Sequence, residues 1–104
     1  MKRVKRRYLA LKVDSDEMPN RKELTDAVWS AVTKLYGEYG ASQTSLMLID
    51  YDVAEKIAVI RTSLATVNLV RASLASITSV AGREASLHVL AVSGTIKALY
   101  EKAR

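Results

Sequence analysis

The sequence contains no cysteine, no phenylalanine, one proline and one histidine in 104 residues. Without cysteine the protein forms no disulfide and offers no ligand for an iron–sulfur cluster, no thiolate for zinc and no cysteine nucleophile. The single histidine, His88, has no second histidine or cysteine with which to bind a soft metal ion. These absences argue against most metal-dependent and nucleophilic enzyme classes.

Long apolar runs are also missing. No segment approaches the roughly 18 apolar residues that a transmembrane helix needs, and no apolar stretch follows the basic start as in a signal peptide. Hydrophobic residues still make up 49% of the chain, enough for the core of one domain. We expect a soluble, cytoplasmic protein with a basic arm over residues 1–5 and a single domain over residues 6–104.

Positive charge is concentrated at the start of the chain. The formal charge of the whole protein is +5, but the first twelve residues carry +6 and the remainder carries −1. Such a segment suits a polyanion, because each phosphate that it neutralises releases condensed counterions. An acidic membrane, an acidic protein and a merely solvated tail are the alternatives on charge alone. The predicted RNA-binding residues of this segment are Lys2, Arg3, Lys5, Arg6, Arg7 and Lys12.

Hydrophobic periodicity predicts seven secondary-structure elements. Asn20 and Glu23 have the spacing of a capping box at the start of the first helix. The predicted elements are a strand over 6–13, a helix ending between Gly37 and Gly40, strands over 45–50 and 56–62, a helix from 64 to Gly82, a strand over 84–92 and a helix over 95–104. This order predicts an α+β, ferredoxin-like (RNA-recognition-module-like) βαββαβ sandwich with a four-stranded antiparallel sheet and a short C-terminal helix.

The last helix carries an apolar stripe that must be covered. Two helices already cover one sheet face, so we expect the third to lie on the open face or to contact a partner there. The stripe comprises Ile96, Leu99, Tyr100 and Ala103, and the apolar residues expected on the open face include Ala10, Ile60 and Leu90.

Aromatic and polar side chains supply further candidates for binding. Tyr8 is expected on the open face, where RNA-recognition modules stack bases, although the third strand lacks the second aromatic of that arrangement. Arg61 is a candidate phosphate contact. Ser93 opens the last helix, where backbone N–H groups attract anions, but an ordinary helix cap explains it equally well. Trp29 is either a core residue or, like Tyr8 and Tyr100, a contact for a protein partner.

Acidic residues cluster in the turns of the predicted fold. Carboxylates of Asp14, Asp16 and Glu17, or of Asp50 and Asp52, have the chemistry to bind a hard cation. Acids in such turns are usually part of turn and cap hydrogen bonding. We therefore predict no metal site, no cofactor and no catalytic residue in the protein.

Five segments, in order along the chain, carry a family resemblance. They are RRYLALKV over 6–13, DAVW over 26–29, YGEYG over 36–40, IRT over 60–62 and VSGTIK over 92–97, and the last is the most specific. Together they resemble the second protein component of archaeal and eukaryotic-type ribonuclease P. Within the last segment, Lys97 joins the candidates for RNA binding.

The resemblance implies a non-catalytic subunit of a ribonucleoprotein. In that enzyme the RNA holds the magnesium ions and removes the 5′ leader of precursor tRNA, while this protein would bind the catalytic domain of the RNA and contact precursor tRNA only indirectly. The family implies a partner subunit with a barrel-like fold and a possible heterotetramer. A ferredoxin-like regulatory domain for a small ligand and a general RNA-binding protein are the alternatives.

Overall fold

The computed structural model describes residues 5–103, apart from the side chain of Ala103, so Lys2 and Arg3 lie outside the described residues. A 3-10 turn, Leu64–Thr66, joins the third strand to the second helix. The elements are β1 (Arg6–Asp14), α1 (Arg21–Ser42), β2 (Met47–Asp52), β3 (Ile57–Ser63), α2 (Val67–Ala75), β4 (Ser79–Val80), β5 (Arg83–Glu84), β6 (Ser86–Ser93) and α3 (Ile96–Ala103).

Four strands form an antiparallel sheet in the order β2-β3-β1-β6. Alternate residues of β1, namely Leu9, Leu11 and Val13, are fully buried in the core that the sheet forms with α1 and α2. Tyr8 and Ala10 belong to a second cluster, on the open face. The predicted ferredoxin-like sandwich with a C-terminal helix is therefore confirmed.

The start of α1 is a capping box, as predicted. The Asn20 side chain accepts a 2.8 Å hydrogen bond from the Glu23 amide, and the Glu23 carboxylate accepts a 2.9 Å hydrogen bond from the Asn20 amide. Near its end the helix is interrupted at Gly37, with φ 77° and ψ 172°, but helical turns resume as far as Ser42. The helix thus ends two residues later than the latest predicted position.

The prediction of a helix from 64 to Gly82 is wrong in its second half. The helix ends at Ala75, and a hairpin of β4 and β5 follows, with Ala81 and Gly82 in its turn at φ 53° and 78°. Ile77 and Val80 are nevertheless buried against the core. The apolar pattern that favoured a longer helix is satisfied by the hairpin instead.

Helix α3 lies on the open face, as expected. Leu99 is fully buried against Ala10 and Val59 of the two central strands. One residue expected on this face lies elsewhere. Ile60 packs into the core on the α1 and α2 side. Leu90 is 46% exposed and is the extra residue of a β-bulge in β6, between the pairs Ala10–Ala91 and Leu11–Val89.

None of the helices within residues 5–103 is both long enough and apolar enough to cross a membrane.

Candidate nucleic-acid interface

Five basic residues come together at one end of the sandwich. Because β1 runs antiparallel to β3 and β6, its first residues lie beside the last residues of both neighbours: Arg6 pairs with Ser63, and Tyr8 pairs with Arg61 and Ser93. Helix α3 begins three residues after β6 ends. We call the resulting cluster the basic end, and it comprises Lys5, Arg6, Arg7, Arg61 and Lys97.

Arg7 lies against the start of α3. One of its terminal nitrogens, Nη1, donates a 2.9 Å hydrogen bond to the Arg6 carbonyl. A Cβ atom at Gly94 would lie 3.3 Å from the same nitrogen, so a side chain there would crowd the guanidinium. The glycine of the VSGTIK segment thus leaves room for the guanidinium of Arg7 beside the first turn of α3.

Thr95 caps the start of α3, and Ser93 forms a turn hydrogen bond just before the helix. The Thr95 hydroxyl accepts a 3.2 Å hydrogen bond from the Ala98 amide, and the Ser93 hydroxyl accepts a 3.4 Å hydrogen bond from the Thr95 amide. Ser93 is buried, whereas Lys97 is exposed. Of the two candidates in this segment, Lys97 is the one with a side chain in reach of a large ligand.

Arg61 is half-buried, and its donors have little to bind. Its Nη2 atom donates to the Met47 sulfur at 3.5 Å, and a thioether is a weak acceptor. Its Nε atom is buried and has no hydrogen-bond partner among residues 5–103. A guanidinium can bind a phosphate through two parallel hydrogen bonds, but the buried Nε atom is out of reach of such a ligand in this conformation, so the phosphate contact of Arg61 stays a prediction.

Lys12 lies apart from the other basic residues. Five residues of extended strand, about 17 Å, separate it from Arg7. Its ammonium group donates a 3.0 Å hydrogen bond to the Glu55 carbonyl in the loop between β2 and β3. Residues 5–12 are therefore not one continuous binding surface.

The end of the sandwich that contains Lys12 is rich in acid, and we call it the acidic end. Arg83 forms ion pairs there with Glu23 at 3.4 Å and Glu17 at 3.8 Å. The acidic residues in the strand ends and loops of this region are Asp14, Asp16, Glu17, Asp52, Glu55 and Glu84. Opposite charges at the two ends of the sandwich would turn the basic end towards a polyanion.

A tyrosine links β2 to the start of α1 at the acidic end. The hydroxyl of Tyr51 donates a 2.6 Å hydrogen bond to the Pro19 carbonyl, next to the N-cap. Burial of the phenol, and to a smaller degree the negative charge of Glu23, raise the pKa of Tyr51 above its ordinary value.

The three aromatic candidates for partner contact are all partly buried. Trp29 packs against the core, which agrees with its interpretation as a core residue. Tyr8 and Tyr100 pack around Leu99, and the Tyr100 hydroxyl donates a 2.8 Å hydrogen bond to Asp50. Because α3 covers Tyr8, the ring is not free to act as a stacking platform of the RNA-recognition type. Their role in partner contact stays a prediction.

Two exposed tyrosines were not among the predicted site residues. Tyr39 is 80% exposed and Tyr36 is 42% exposed, on either side of the interruption of α1 at Gly37. The sequence signal was the paired glycines of YGEYG, which are unusual inside a helix. Within residues 5–103, no three histidine or acidic side chains form a group that could hold a metal ion.

Comparisons with known proteins agree with the resemblance seen in the sequence. The model of the Rpp14/Pop5 family matches residues 7–104. Proteins called ribonuclease P protein component 2 from Methanosarcina mazei and Pyrococcus furiosus are each 37% identical over 100 residues, which is 96% of this chain and 84% and 83% of theirs. A chain in the cryo-EM structure of yeast ribonuclease MRP shares the fold, with a TM-score of 0.72 at 17% identity, over 91% of this chain and 78% of that one. The chain therefore belongs to the Rpp14/Pop5 family.

Proposed function

We propose that the protein is a non-catalytic, RNA-binding subunit of ribonuclease P, which removes the 5′ leader from precursor tRNA. The names of its relatives support its assignment to ribonuclease P, and the basic end is the observation that supports an RNA-binding role. Lys5, Arg6 and Lys97 are exposed there, and no acid occurs in the segments 5–7, 61–64 and 93–97 that form it.

The proposed mechanism is neutralisation of RNA phosphates at the basic end. A folded catalytic RNA packs many phosphates together, and fixed cations near them lower the electrostatic cost of that compaction. Magnesium ions on the RNA would carry the chemistry, and the protein would lower the magnesium concentration that the RNA needs. Lys2 and Arg3, which precede β1 in the sequence, add to the same charge.

The partners belong to the proposal as well. The protein would bind the catalytic domain of the RNA together with a second protein subunit of barrel-like fold, with a heterotetramer as the proposed assembly, and would contact precursor tRNA only indirectly. The separation of the basic end from the acidic end supports a division of labour, because it leaves the acidic end available to a protein while RNA occupies the other. A cytoplasmic location remains part of the prediction.

Reconstitution tests this function. Precursor tRNA would be incubated with the ribonuclease P RNA and its other protein subunits, with and without this chain, across a magnesium series. We expect the chain to raise the rate of 5′ cleavage and to lower the magnesium concentration needed. Equal rates and equal magnesium dependence in the two reactions would overturn the proposal.

A competition experiment separates a dedicated subunit from a general RNA-binding protein. Labelled ribonuclease P RNA bound to the chain would be challenged with unlabelled ribonuclease P RNA or with an unrelated structured RNA of equal length. Preferential displacement by the cognate RNA supports the dedicated role. Equal displacement by both RNAs would favour the general binder.

A further inference from the structure

The end of α1 has a shape that only glycine permits. Gly37 has φ 77° and ψ 172°, a backbone conformation that residues other than glycine adopt only with strain. A Cβ atom on Gly40 would lie 2.8 Å from the Cβ of Tyr36, and neither atom is the free end of a flexible side chain. Both glycines are therefore needed for the last turn of α1. We call this segment, residues 36–42, the tyrosine turn.

The tyrosine turn exposes aromatic surface that the fold does not use. Tyr39 is 80% exposed and Tyr36 is 42% exposed, and the neighbouring Leu35 is 49% exposed. None of the three belongs to either hydrophobic cluster of the protein. The exposed rings are not needed to fill a core, so their position calls for a functional explanation.

Hydrogen bonds hold the residues that directly follow the tyrosine turn beside the basic end. The Ser63 hydroxyl donates to the Gln43 carbonyl at 3.1 Å, and the Ser63 amide donates to the Thr44 carbonyl at 2.8 Å. On its other side, Ser63 is the strand partner of Arg6, and the next amide, that of Leu64, donates to the Lys5 carbonyl at 2.8 Å. The end of β3 thus joins Gln43 and Thr44 to Lys5 and Arg6. The amides of Gln43 and Thr44 in turn donate 3.2 Å hydrogen bonds to the Gly40 and Ala41 carbonyls of the tyrosine turn.

We propose that Tyr39, with Tyr36 next to it, stacks on unpaired nucleobases of the RNA whose phosphates bind the basic end. The proposal rests on the RNA-binding function proposed above and adds a base-binding site to it. Exposed aromatic rings beside a cationic surface are the combination by which proteins bind single-stranded nucleic acid without reading its sequence.

Two observations favour RNA over a protein as the occupant of the tyrosine turn. The residues that follow it are hydrogen-bonded to the end of β3 beside Lys5 and Arg6, and no acid occurs over residues 39–49, whereas the centres of protein interfaces are depleted of charge. The usual platform for bases on this fold, the open sheet face, is covered by α3 through Leu99. The tyrosine turn supplies exposed aromatic surface that the sheet face lacks.

The test compares three side chains at position 39. Binding of the full chain to a single-stranded oligoadenylate and to an RNA duplex of equal length would be measured for the native protein, Tyr39→Phe and Tyr39→Leu. The ring of Phe keeps the stacking face, whereas Leu keeps apolar area without it. We expect Tyr39→Leu to bind the oligoadenylate roughly tenfold more weakly, Tyr39→Phe to bind it like the native chain, and all three to bind the duplex alike.

The outcomes separate this site from the proposed function. The stacking proposal is overturned if Tyr39→Leu binds the oligoadenylate as tightly as the native chain, or if Phe and Leu weaken binding equally. It is overturned as well if the substitution changes association with other protein subunits but not with RNA. The ribonuclease P function fails on a different result, namely a native chain without effect on precursor tRNA cleavage. Because Tyr39 is exposed, equal thermal melting of the three proteins is expected and confirms that they fold.

Discussion

The hydroxyl of Tyr100 donates a 2.8 Å hydrogen bond to the carboxylate of Asp50, and this contact joins α3 to the edge strand β2 across the open face of the sheet. One residue earlier in the helix, Leu99 is fully buried beneath it. The helix therefore occupies the surface on which related folds stack bases. RNA contact is left to the basic end and to the tyrosine turn beside it.

Truncation of Leu99 measures how firmly α3 is attached. We expect Leu99→Ala to lower the free energy of unfolding by about 2–5 kcal/mol, because it removes buried methyl groups and leaves a cavity between α3 and the sheet. Ile96→Ala in the same helix is the control, since Ile96 is 36% exposed and its truncation should cost less. Urea unfolding measures both variants, and equal losses would show that α3 does not pack on the sheet through Leu99.

Charge reversal tests whether the position of the basic residues matters beyond their number. The double variant Lys5→Glu and Arg6→Glu changes the basic end, and Lys12→Glu with Lys56→Glu changes the charge equally at the acidic end. All four side chains are exposed. We expect the first variant to bind ribonuclease P RNA at least about tenfold more weakly and to reduce the log–log salt slope by roughly 1.4–1.8, while the second stays near the native values.

Equal weakening of the two charge-reversal variants would contradict this prediction. It would mean that net charge governs the affinity and that the basic end has no special part. The comparison also decides the role of Lys12, which the sequence groups with the arm but which donates to the Glu55 carbonyl at the opposite end of β1.

The hairpin of β4 and β5 offers a gain in stability. Ala81 and Gly82 both have positive φ, the pattern of a type I′ turn, in which Asn-Gly is strongly preferred. Ala81→Asn should raise the free energy of unfolding by about 0.5–1 kcal/mol, because asparagine tolerates the left-handed conformation that alanine resists. Ala54→Asn, in the loop after β2 and without positive φ, is the control and should be neutral. A stability unchanged by Ala81→Asn in thermal melting would contradict this explanation.

The same turn explains why the sequence did not reveal the hairpin. Alanine is a good helix former, and Ala81 stands where an asparagine would have marked a turn. Ile77 and Val80 also fit the apolar spacing of a continuing helix. In the structure they lie just before and within the hairpin, and both are buried in the core. By contrast, the Asn20 and Glu23 capping box is a local signal with a single meaning, and it predicted the start of α1 correctly.

The error in the predicted face of Ile60 has a related cause. Ala58, Val59 and Ile60 are all buried, because α1 and α2 cover one face of β3 and α3 covers the other. A strand that is apolar on both faces has no alternation from which to assign Ile60 to a side. In β6 the β-bulge shifts the alternation by one residue, so that Val89 packs on the core whereas Ala91, two residues later, packs on the open face.

Only part of the candidate interface could be predicted from charge. A run of basic residues in the sequence indicates a polyanion, but five residues of extended strand, about 17 Å, separate Lys12 from Arg7. Arg61 and Lys97 reach the basic end only because β3 and α3 return to the start of β1. Those returns depend on the topology of the sheet, which brings together residues that are distant in the sequence.

Alkaline titration of Tyr51 provides a test at the acidic end. Burial and Glu23 raise the pKa of this phenol in the folded protein above its ordinary value of 10.0, so between the two values the folded state holds a proton that the unfolded state has lost. The stabilisation is complete below the ordinary pKa and is lost as the pH rises through the pKa of Tyr51 in the folded protein. The hydroxyl then loses the proton that it donates to the Pro19 carbonyl. Tyr51→Phe should therefore be less stable than the native protein near neutral pH, by about 0.5–1.5 kcal/mol, and the difference should shrink above pH about 10.

Tyr39→Phe, at an exposed ring, is the matched control and should match the native stability throughout. Urea unfolding across the alkaline range measures all three proteins, and a deficit of Tyr51→Phe that stays constant or grows with pH would show that the phenol is not stabilised in its protonated form.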